Sequence, residues 1–322
     1  MSQAEAIGVD LGGTKMLLGV LDGDSKTVWE SREGSAGEGE SELVELLVRE
    51  LEEARAERPG VEAIGMGIPA TIDHEKGVAV AAVNLPIEDL PIRDIVVERT
   101  GLPTFVDNDA NVAALAEHLF GAARGAENAV MLTIGTGIGG GLILGGEIYR
   151  GSSGAGAELG HVAIEIDGPR CQGNCPNRGC IETLASGTAI GREGRAAAEG
   201  APDSALAKLL AEGKEIDGKA VTVAAQAGDE TAIGVFDLVG SRLGVALASF
   251  ANIFEPETIV IGGGVIAAGD LLLDPARREL EARALRPMNR TPVVAAELGE
   301  DAGMIGAAAL ARIELERSEK AS

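Results

Sequence analysis

The sequence predicts an α/β fold with a duplicated architecture. Apolar segments typical of strands alternate with segments of helical periodicity along the 322 residues, and this alternation favours mixed sheets covered by helices. A strand, a bend containing Gly-Thr and a second strand occupy residues 6–22, and a similar unit returns at residues 129–147. Two copies of one unit at the heads of two halves indicate an internal duplication.

The elements of the first half follow from local patterns. Residues 41–57 carry leucines at helical spacing and precede a proline and a glycine, so they predict a helix. An apolar strand is expected over residues 63–68. Residues 104–106 predict another strand, and cap-type residues then open a helix over residues 107–120, with Asn108 and Asp109 in its first turn. A short glycine-containing loop is expected at residues 34–39.

The second half repeats the alternation. Its predicted elements are helices over residues 186–199 and 231–254, a strand over 257–261, a helix ending near Arg286, a strand over 292–298 and a final helix over 302–316.

Length and charge narrow the classes of protein. A chain of 322 residues is long for one core and predicts two domains. The net charge of −24 argues against nucleic-acid binding, which needs lysine and arginine against phosphates, and fits a soluble small-molecule enzyme. Since there is no run of eighteen apolar residues and residues 1–5 do not resemble a signal peptide, we expect a cytoplasmic protein with no membrane partner.

All three cysteines fall within ten residues, and a histidine stands just upstream. Cys171, Cys175, Cys180 and His161 offer the three thiolates and one imidazole of a complete tetrahedral zinc site. An odd number of cysteines would leave one thiol unpaired in a disulfide scheme. The alternative is three buried free cysteines, and the clustering favours structural Zn²⁺.

Three glycine-rich bends follow strands and can present backbone N–H groups to an anion. They are residues Gly12, Gly13, Thr14 and Lys15; Thr136 and Gly137; and Gly262, Gly263 and Gly264. They match neither a P-loop nor a dinucleotide fingerprint, because the Gly-x-Gly-x-x-Gly at residues 135–140 leads into a strand. We expect these bends to cradle ATP, with Asp10 holding Mg²⁺, which favours carboxylates together with substrate phosphates.

A second group of polar residues suits transfer of a phosphoryl group to a sugar. Asp109 is the candidate general base, because an aspartate accepts the hydroxyl proton in such transfers, and Asp107 is available to cap the helix. Asn108, Glu158, His161 and Glu182 are the candidate ligands of sugar hydroxyls.

These motifs together resemble the ROK (repressor, open reading frame, kinase) family, especially its bacterial glucokinases. The motifs are Asp10-Leu-Gly-Gly-Thr14, Asp107-Asn-Asp-Ala-Asn111, Gly135-Thr-Gly-Ile-Gly-Gly-Gly141, Glu158-Leu-Gly-His161 and the segment 171–182. Two features depart from the family pattern. Three residues separate Cys171 from Cys175 where the family usually has one, and the tryptophan that often follows Asn84-Leu-Pro86 is absent.

The resemblance implies an actin-like/hexokinase-like (ribonuclease H-like) duplicated fold with an active-site cleft between two domains. We expect a small domain of residues 1–117 and 302–322, and a large domain of residues 118–301 that contains the zinc-binding segment 161–180. The implied reaction is ATP-dependent phosphorylation of the glucose 6-hydroxyl, with Asp109 as base and Asn84, Asn108, Glu158, His161 and Glu182 on the sugar. Relatives are commonly dimers or tetramers.

Several alternatives remain open. The substrate could be N-acetylmannosamine, mannose or fructose, and the donor could be polyphosphate. A sugar-sensing regulator without turnover is the non-enzymatic alternative; Asp10, Thr14 and Asp109 argue against it, as does the absence of room for an N-terminal DNA-binding domain. Zinc-dependent hydrolysis would need an open coordination position, which a Cys3His site lacks.

Overall fold

The computed structural model describes residues 4–35, 39–82, 84–173 and 175–321. The strands are β1 (Glu5–Leu11), β2 (Met16–Leu21), β3 (Thr27–Glu33), β4 (Val61–Ile68), β5 (Ala70–Asp73), β6 (Val78–Ala82), β7 (Glu88–Leu90), β8 (Thr104–Asn108), β9 (Ala129–Ile134), β10 (Ile138–Leu144), β11 (Glu147–Ile148), β12 (Thr258–Gly262) and β13 (Val293–Ala295). The helices are α1 (Glu40–Glu57), α2 (Ile92–Thr100), α3 (Asp109–Phe120), α4 (Ile181–Ala185), α5 (Gly187–Gly200), α6 (Ala205–Ala211), α7 (Gly218–Gln226), α8 (Glu230–Phe254), α9 (Asp270–Arg283) and α10 (Ala302–Ala321).

Two sheets repeat the same strand order and directions. The first runs β3-β2-β1-β4-β8 and the second β11-β10-β9-β12-β13. In each, the first three strands pair antiparallel and the last two add in parallel to the central strand. The two predicted hairpins, β1-β2 and β9-β10, occupy equivalent places in the two sheets, and this confirms the predicted duplication. A smaller antiparallel sheet, β5-β6-β7, extends the first half.

Helices α3 and α10 lie together between the two sheets. Helix α3 follows a strand of the first sheet and packs on β10 of the second, whereas α10 follows the second sheet and packs on β1 and β4 of the first. Glycines permit the close approach: a Cβ at Gly8 would collide with the backbone of Met304, and one at Gly65 with that of Ala307. The junction between β8 and α3 therefore lies where the two halves meet.

Helix α8 forms the centre of the second core. Phe236, Leu243, Leu247 and Phe250 are buried on it, and it packs against α4, α5, α7 and α9. Within the described ranges, α8 is long and apolar enough to span a membrane by length and composition, with a mean hydropathy of 1.5 over its most apolar window; 56% of that window is buried inside the protein.

The predicted elements are present, with shifted ends. Helix α3 begins at Asp109 rather than 107, the late strand shortens to Val293–Ala295, and α10 runs to Ala321. The sequence reading missed the edge strand β3, the small sheet, and helices α2, α6 and α7. Strand β3 lacks a buried face, so it shows no apolar alternation. Residues 1–3 and residues 36–38 of the predicted loop 34–39 lie outside the described residues.

Candidate active site

Asp109 is the first residue of α3, and its side chain is not needed to cap the helix. Asn108 is the N-cap: its Oδ1 accepts hydrogen bonds from the backbone N–H groups of Ala110 (2.9 Å) and Asn111 (3.3 Å). The prediction that Asp107 caps the helix is therefore wrong. The Asp107 Oδ1 instead accepts from the Asn108 N–H and from Asn111 Nδ2, both at 2.8 Å.

Carboxylates converge beside this turn. The pKa of Asp10 is raised to about 7, first by burial and then by the charge of Asp109, while Lys15 opposes the rise. Burial also raises the pKa of Asp109, the charge of Glu158 adds to this effect, and hydrogen bonds from backbone N–H groups oppose it. A buried acid whose proton affinity is raised by a neighbouring carboxylate attracts a cation, so Asp10 beside Asp109 suits a divalent ion bound to phosphates.

A small cavity of about 40 Å³ opens beside Asn108, the residue before Asp109. Asn108 and Glu158 line it together with Ala70, Thr71, Gly139, Gly140 and residues 154–157. The Nδ2 of Asn108 donates to the Ala70 carbonyl at 3.3 Å, which fixes the amide at the wall. Two of the predicted sugar ligands therefore line the same small cavity.

Glu158 is held by an unusual backbone. Ala157 has φ +64°, the left-handed region, which costs a non-glycine residue about 1–3 kcal/mol. Beyond it, residues Leu159–His161 form one 3-10 turn that brings His161 Nε2 to 3.8 Å from Glu158 Oε2. The strained residue, Ala157, directly precedes Glu158. Backbone strain of this kind is common at functional sites.

The four predicted metal ligands come together. Their nitrogen and sulfur atoms, from His161, Cys171, Cys175 and Cys180, all lie within 4.8 Å of one another. His161 Nδ1 lies 3.4 Å from Cys171 Sγ, so this nitrogen faces the sulfurs while Nε2 faces Glu158. Cys171 belongs to the cluster despite its wider spacing.

The electrostatics of this cluster suit a cation. Burial, followed by the neighbouring thiols, raises the pKa of Cys171, and burial raises that of Cys180. A bound divalent cation reverses this balance and stabilises thiolates. Three sulfurs and one imidazole nitrogen are a donor set that fits Zn²⁺, so these residues could hold that ion.

Glu182 links the metal cluster to a glycine bend. It lies on α4, and its Oε2 accepts a hydrogen bond from the backbone N–H of Ile138 at 3.0 Å. Its Oε1 lies 3.9 Å from Cys171 Sγ. A Cβ on Gly137 would overlap the same carboxylate, so a side chain there would displace that of Glu182.

The second and third glycine bends are neighbours. Strands β9 and β12 are parallel partners, so Thr136 and Gly137 emerge at the same sheet edge as the glycines 262–264. Gly263 has φ +81° and ψ 176°, and a Cβ on it would overlap the backbone of Ile134. The Thr188 hydroxyl donates to the Thr136 carbonyl at 2.8 Å and holds the second bend on α5.

The first bend closes on itself at the end of β1. The Gly12 N–H donates to the Lys15 carbonyl at 2.9 Å, and Thr14 and Lys15 are exposed. Lys15 Nζ pairs with Glu300 Oε2 at 2.8 Å. Asn84 lies against this bend, since a Cβ on Gly13 would stand 2.9 Å from the Asn84 Cβ.

Arg150 is a member of the site that the sequence reading missed. Its Nε donates to Asp107 Oδ2 at 2.6 Å, and the Asp107 side chain is only 2% exposed. The two residues are 43 positions apart, and no local pattern marks Arg150.

The duplicated sheets, the α3–α10 pair between them and the polar cleft define an actin-like, hexokinase-like two-domain kinase fold. The chain belongs to the ROK family, whose model matches residues 6–314. It is 38% identical to a glucokinase of Thermotoga maritima over 315 residues, covering 96% of this chain and 98% of the relative.

Solved structures show the same likeness. A ROK family glucokinase from Streptomyces griseus, in complex with glucose and AMPPNP, superposes with a TM-score of 0.84 and 36% identity, covering 96% of this chain and all of the other. A ROK family transcriptional regulator, a homologue of the Escherichia coli MLC protein, superposes with a TM-score of 0.85 and 28% identity; 96% of this chain covers 78% of it. The fold therefore occurs in both kinases and regulators.

Proposed function

We propose that this chain is an ATP-dependent kinase that phosphorylates glucose on its 6-hydroxyl. The observation that carries the proposal is the buried carboxylate of Asp109, which does not cap α3 and directly follows Asn108 in the wall of the cavity that Glu158 also lines. The similarity to glucokinases, including one bound to glucose and AMPPNP, supports both the sugar and the nucleotide.

In this proposal Asp109 is the general base. Its raised pKa makes it a better proton acceptor than an ordinary aspartate. The protein positions the sugar hydroxyl for in-line attack, and Asp109 takes its proton. Asn84, Asn108, Glu158, His161 and Glu182 bind the sugar hydroxyls.

The glycine bends bind the phosphates of ATP. The first half contributes phosphate contacts from Gly12, Gly13, Thr14 and Lys15. The second half contributes them from Thr136, Gly137 and the glycines 262–264. Asp10, supported by Asp109, would hold Mg²⁺, which supplies charge neutralisation at the phosphates when bound. The Cys3His cluster would hold structural Zn²⁺, which leaves His161 Nε2 turned toward Glu158 and the sugar.

We further propose that residues 1–117 and 302–322 form the small domain and residues 118–301 the large one. The packing of α10 on β1 and β4 supports this division. We place the enzyme in the cytoplasm as a homodimer or homotetramer, with no nucleic-acid or membrane partner.

A coupled kinase assay tests the proposal. Purified protein is given glucose, mannose, fructose and N-acetylmannosamine, each with ATP and with polyphosphate. We expect kcat/KM to be highest for glucose with ATP. Preference for another hexose or for polyphosphate would refute the stated specificity, and sugar binding without turnover would identify a regulator.

A further inference from the structure

We propose that Arg150 is a positioning residue that holds the sugar-binding loop and the catalytic base in register through Asp107. This inference rests on the proposed sugar kinase activity and assigns a role to a residue outside the predicted site. It depends on the contacts at the two ends of Arg150.

The side chain of Arg150 reaches the turn that carries the base. Its Nε bonds Asp107 Oδ2 at 2.6 Å, and the other oxygen of Asp107 holds the Asn108 N–H and the Asn111 amide. Donors thus contact both oxygens of Asp107. Because Asn108 and Asp109 follow directly, any shift of the Asp107 carboxylate moves the cap and the base together.

The backbone of Arg150 begins the loop that lines the cavity. The Arg150 carbonyl accepts a hydrogen bond from the Gly156 N–H at 2.8 Å, which closes residues 150–156 into a compact loop just before Glu158. The far side of this loop touches the first half, where a Cβ on Gly154 would overlap the carbonyl of Ile72. The guanidinium of Arg150 therefore links the loop that lines the cavity to the end of β8, which directly precedes Asp109.

The two ion-pair contacts of Arg150 differ in length. The Arg150 side chain is 18% exposed, and its other ion-pair partner, Glu314, lies 4.0 Å away. The stronger contact is thus the one to Asp107, two residues before the base. Displacement of a reacting group by about 1 Å costs on the order of 100-fold in rate, so the register matters for turnover.

The test compares full-length variants for kcat, for the KM of glucose and of ATP, and for Tm. Arg150→Gln is expected to lower kcat about 10–100-fold with little change in the KM of ATP, and Arg150→Lys to recover part of the loss. Arg317→Gln is the matched control, because Arg317 pairs with Glu314 and Glu147 but does not contact Asp107. It should keep wild-type turnover.

The double variant Arg150→Gln/Asp107→Asn separates positioning from folding. It removes the unpaired buried charge, so its Tm should return toward the wild-type value while kcat stays low. Recovery of kcat together with Tm would overturn the positioning role, as would an Arg150→Gln variant that loses only stability. A wild-type protein without turnover would instead overturn the proposed kinase function.

Discussion

The carboxylate of Glu182 holds the backbone N–H of Ile138 at 3.0 Å while its other oxygen lies 3.9 Å from Cys171 Sγ. Ile138 directly follows the second glycine bend, and Cys171 belongs to the metal cluster. A residue expected only to bind sugar therefore also fixes a bend assigned to the nucleotide. In the proposed function, the sugar site and the nucleotide site therefore share this carboxylate.

Glu182 and Glu158 should consequently differ on substitution. Glu182→Ala is expected to raise the KM of both glucose and ATP, since it frees the Ile138 N–H as well as a sugar contact. Glu158→Ala should raise the KM of glucose alone, about tenfold or more for loss of a charged hydrogen bond. Steady-state kinetics with each substrate varied decide this, and an unchanged KM of ATP in Glu182→Ala would contradict the link.

Asp109→Asn should lower kcat by about 10²–10⁴-fold, the usual contribution of a general base. Asn108 caps α3, so the substitution should leave folding intact. Circular dichroism and a coupled assay measure both properties. Asp237→Asn, an aspartate on the outer surface of α8, is the control and should retain full activity. An Asp109→Asn enzyme with near-normal turnover would exclude this base.

The acidic pair should make stability and activity depend oppositely on pH. The pKa of Asp10 is about 7 in the folded protein, against 3.8 as its ordinary value, so between these pH values the folded state binds one proton more than the unfolded state. Its contribution to stability therefore falls as pH rises from about 4 to 7. Activity, which in the proposed function needs ionised Asp10 to hold Mg²⁺, should rise through the same range.

Asp10→Asn isolates this effect. The variant should have a higher Tm than wild type at pH 8, where the buried charge is removed, and a similar Tm at pH 4. Its Mg²⁺-dependent turnover should be strongly reduced. Thermal melts at the two pH values without Mg²⁺ test the sign, and a lower Tm at pH 8 would show that the Asp10 charge is stabilising.

Loss of the metal should weaken sugar binding more than ATP binding. Removal of Zn²⁺ by a chelator, or Cys175→Ser, frees the His161 imidazole and is expected to raise the KM of glucose about 10–100-fold. Glu182 keeps its bond to Ile138 without any metal contact, so the KM of ATP should change less. Metal content by mass spectrometry accompanies the kinetics, and equal loss of both affinities would mean that the metal only maintains the fold.

Adjacent glycines in the third bend provide a matched pair. Gly263→Ala puts a side chain into a backbone region that is essentially restricted to glycine, at about 1–3 kcal/mol, and against Ile134. It should lower Tm and raise the KM of ATP. Gly264→Ala, where a Cβ meets no neighbour within 4 Å, should leave Tm unchanged. Equal Tm values for the two variants would contradict the backbone constraint.

The sequence predicts the site where its parts are local. Short sequence segments predict the cluster of cysteines with His161, the glycine bends and the strand end that precedes Asp109. The structure brings these segments to one cleft. The repeated hairpins predict the duplication for the same reason.

The remaining features arise from contacts between distant segments. Glu182 meets Ile138 across 44 positions and Arg150 meets Asp107 across 43, so no periodicity or spacing signals either contact. Asn108 rather than Asp107 caps the helix because the Asp107 carboxylate accepts hydrogen bonds from Arg150 and Asn111. Only the folded structure shows these bonds. Exposed or short elements such as β3 and β7 lack the apolar pattern on which such predictions depend.

The place of α10 has a consequence for how the polypeptide folds during synthesis. Met304, Ala308 and Ala311 cover an apolar face formed by Ala6, Leu17 and Ala63, residues that leave the ribosome first. That face stays open to water until about 240 further residues have been made, from Ala63 to Met304. The first sheet is therefore covered last, and a nascent chain stalled before residue 302 leaves this apolar face exposed.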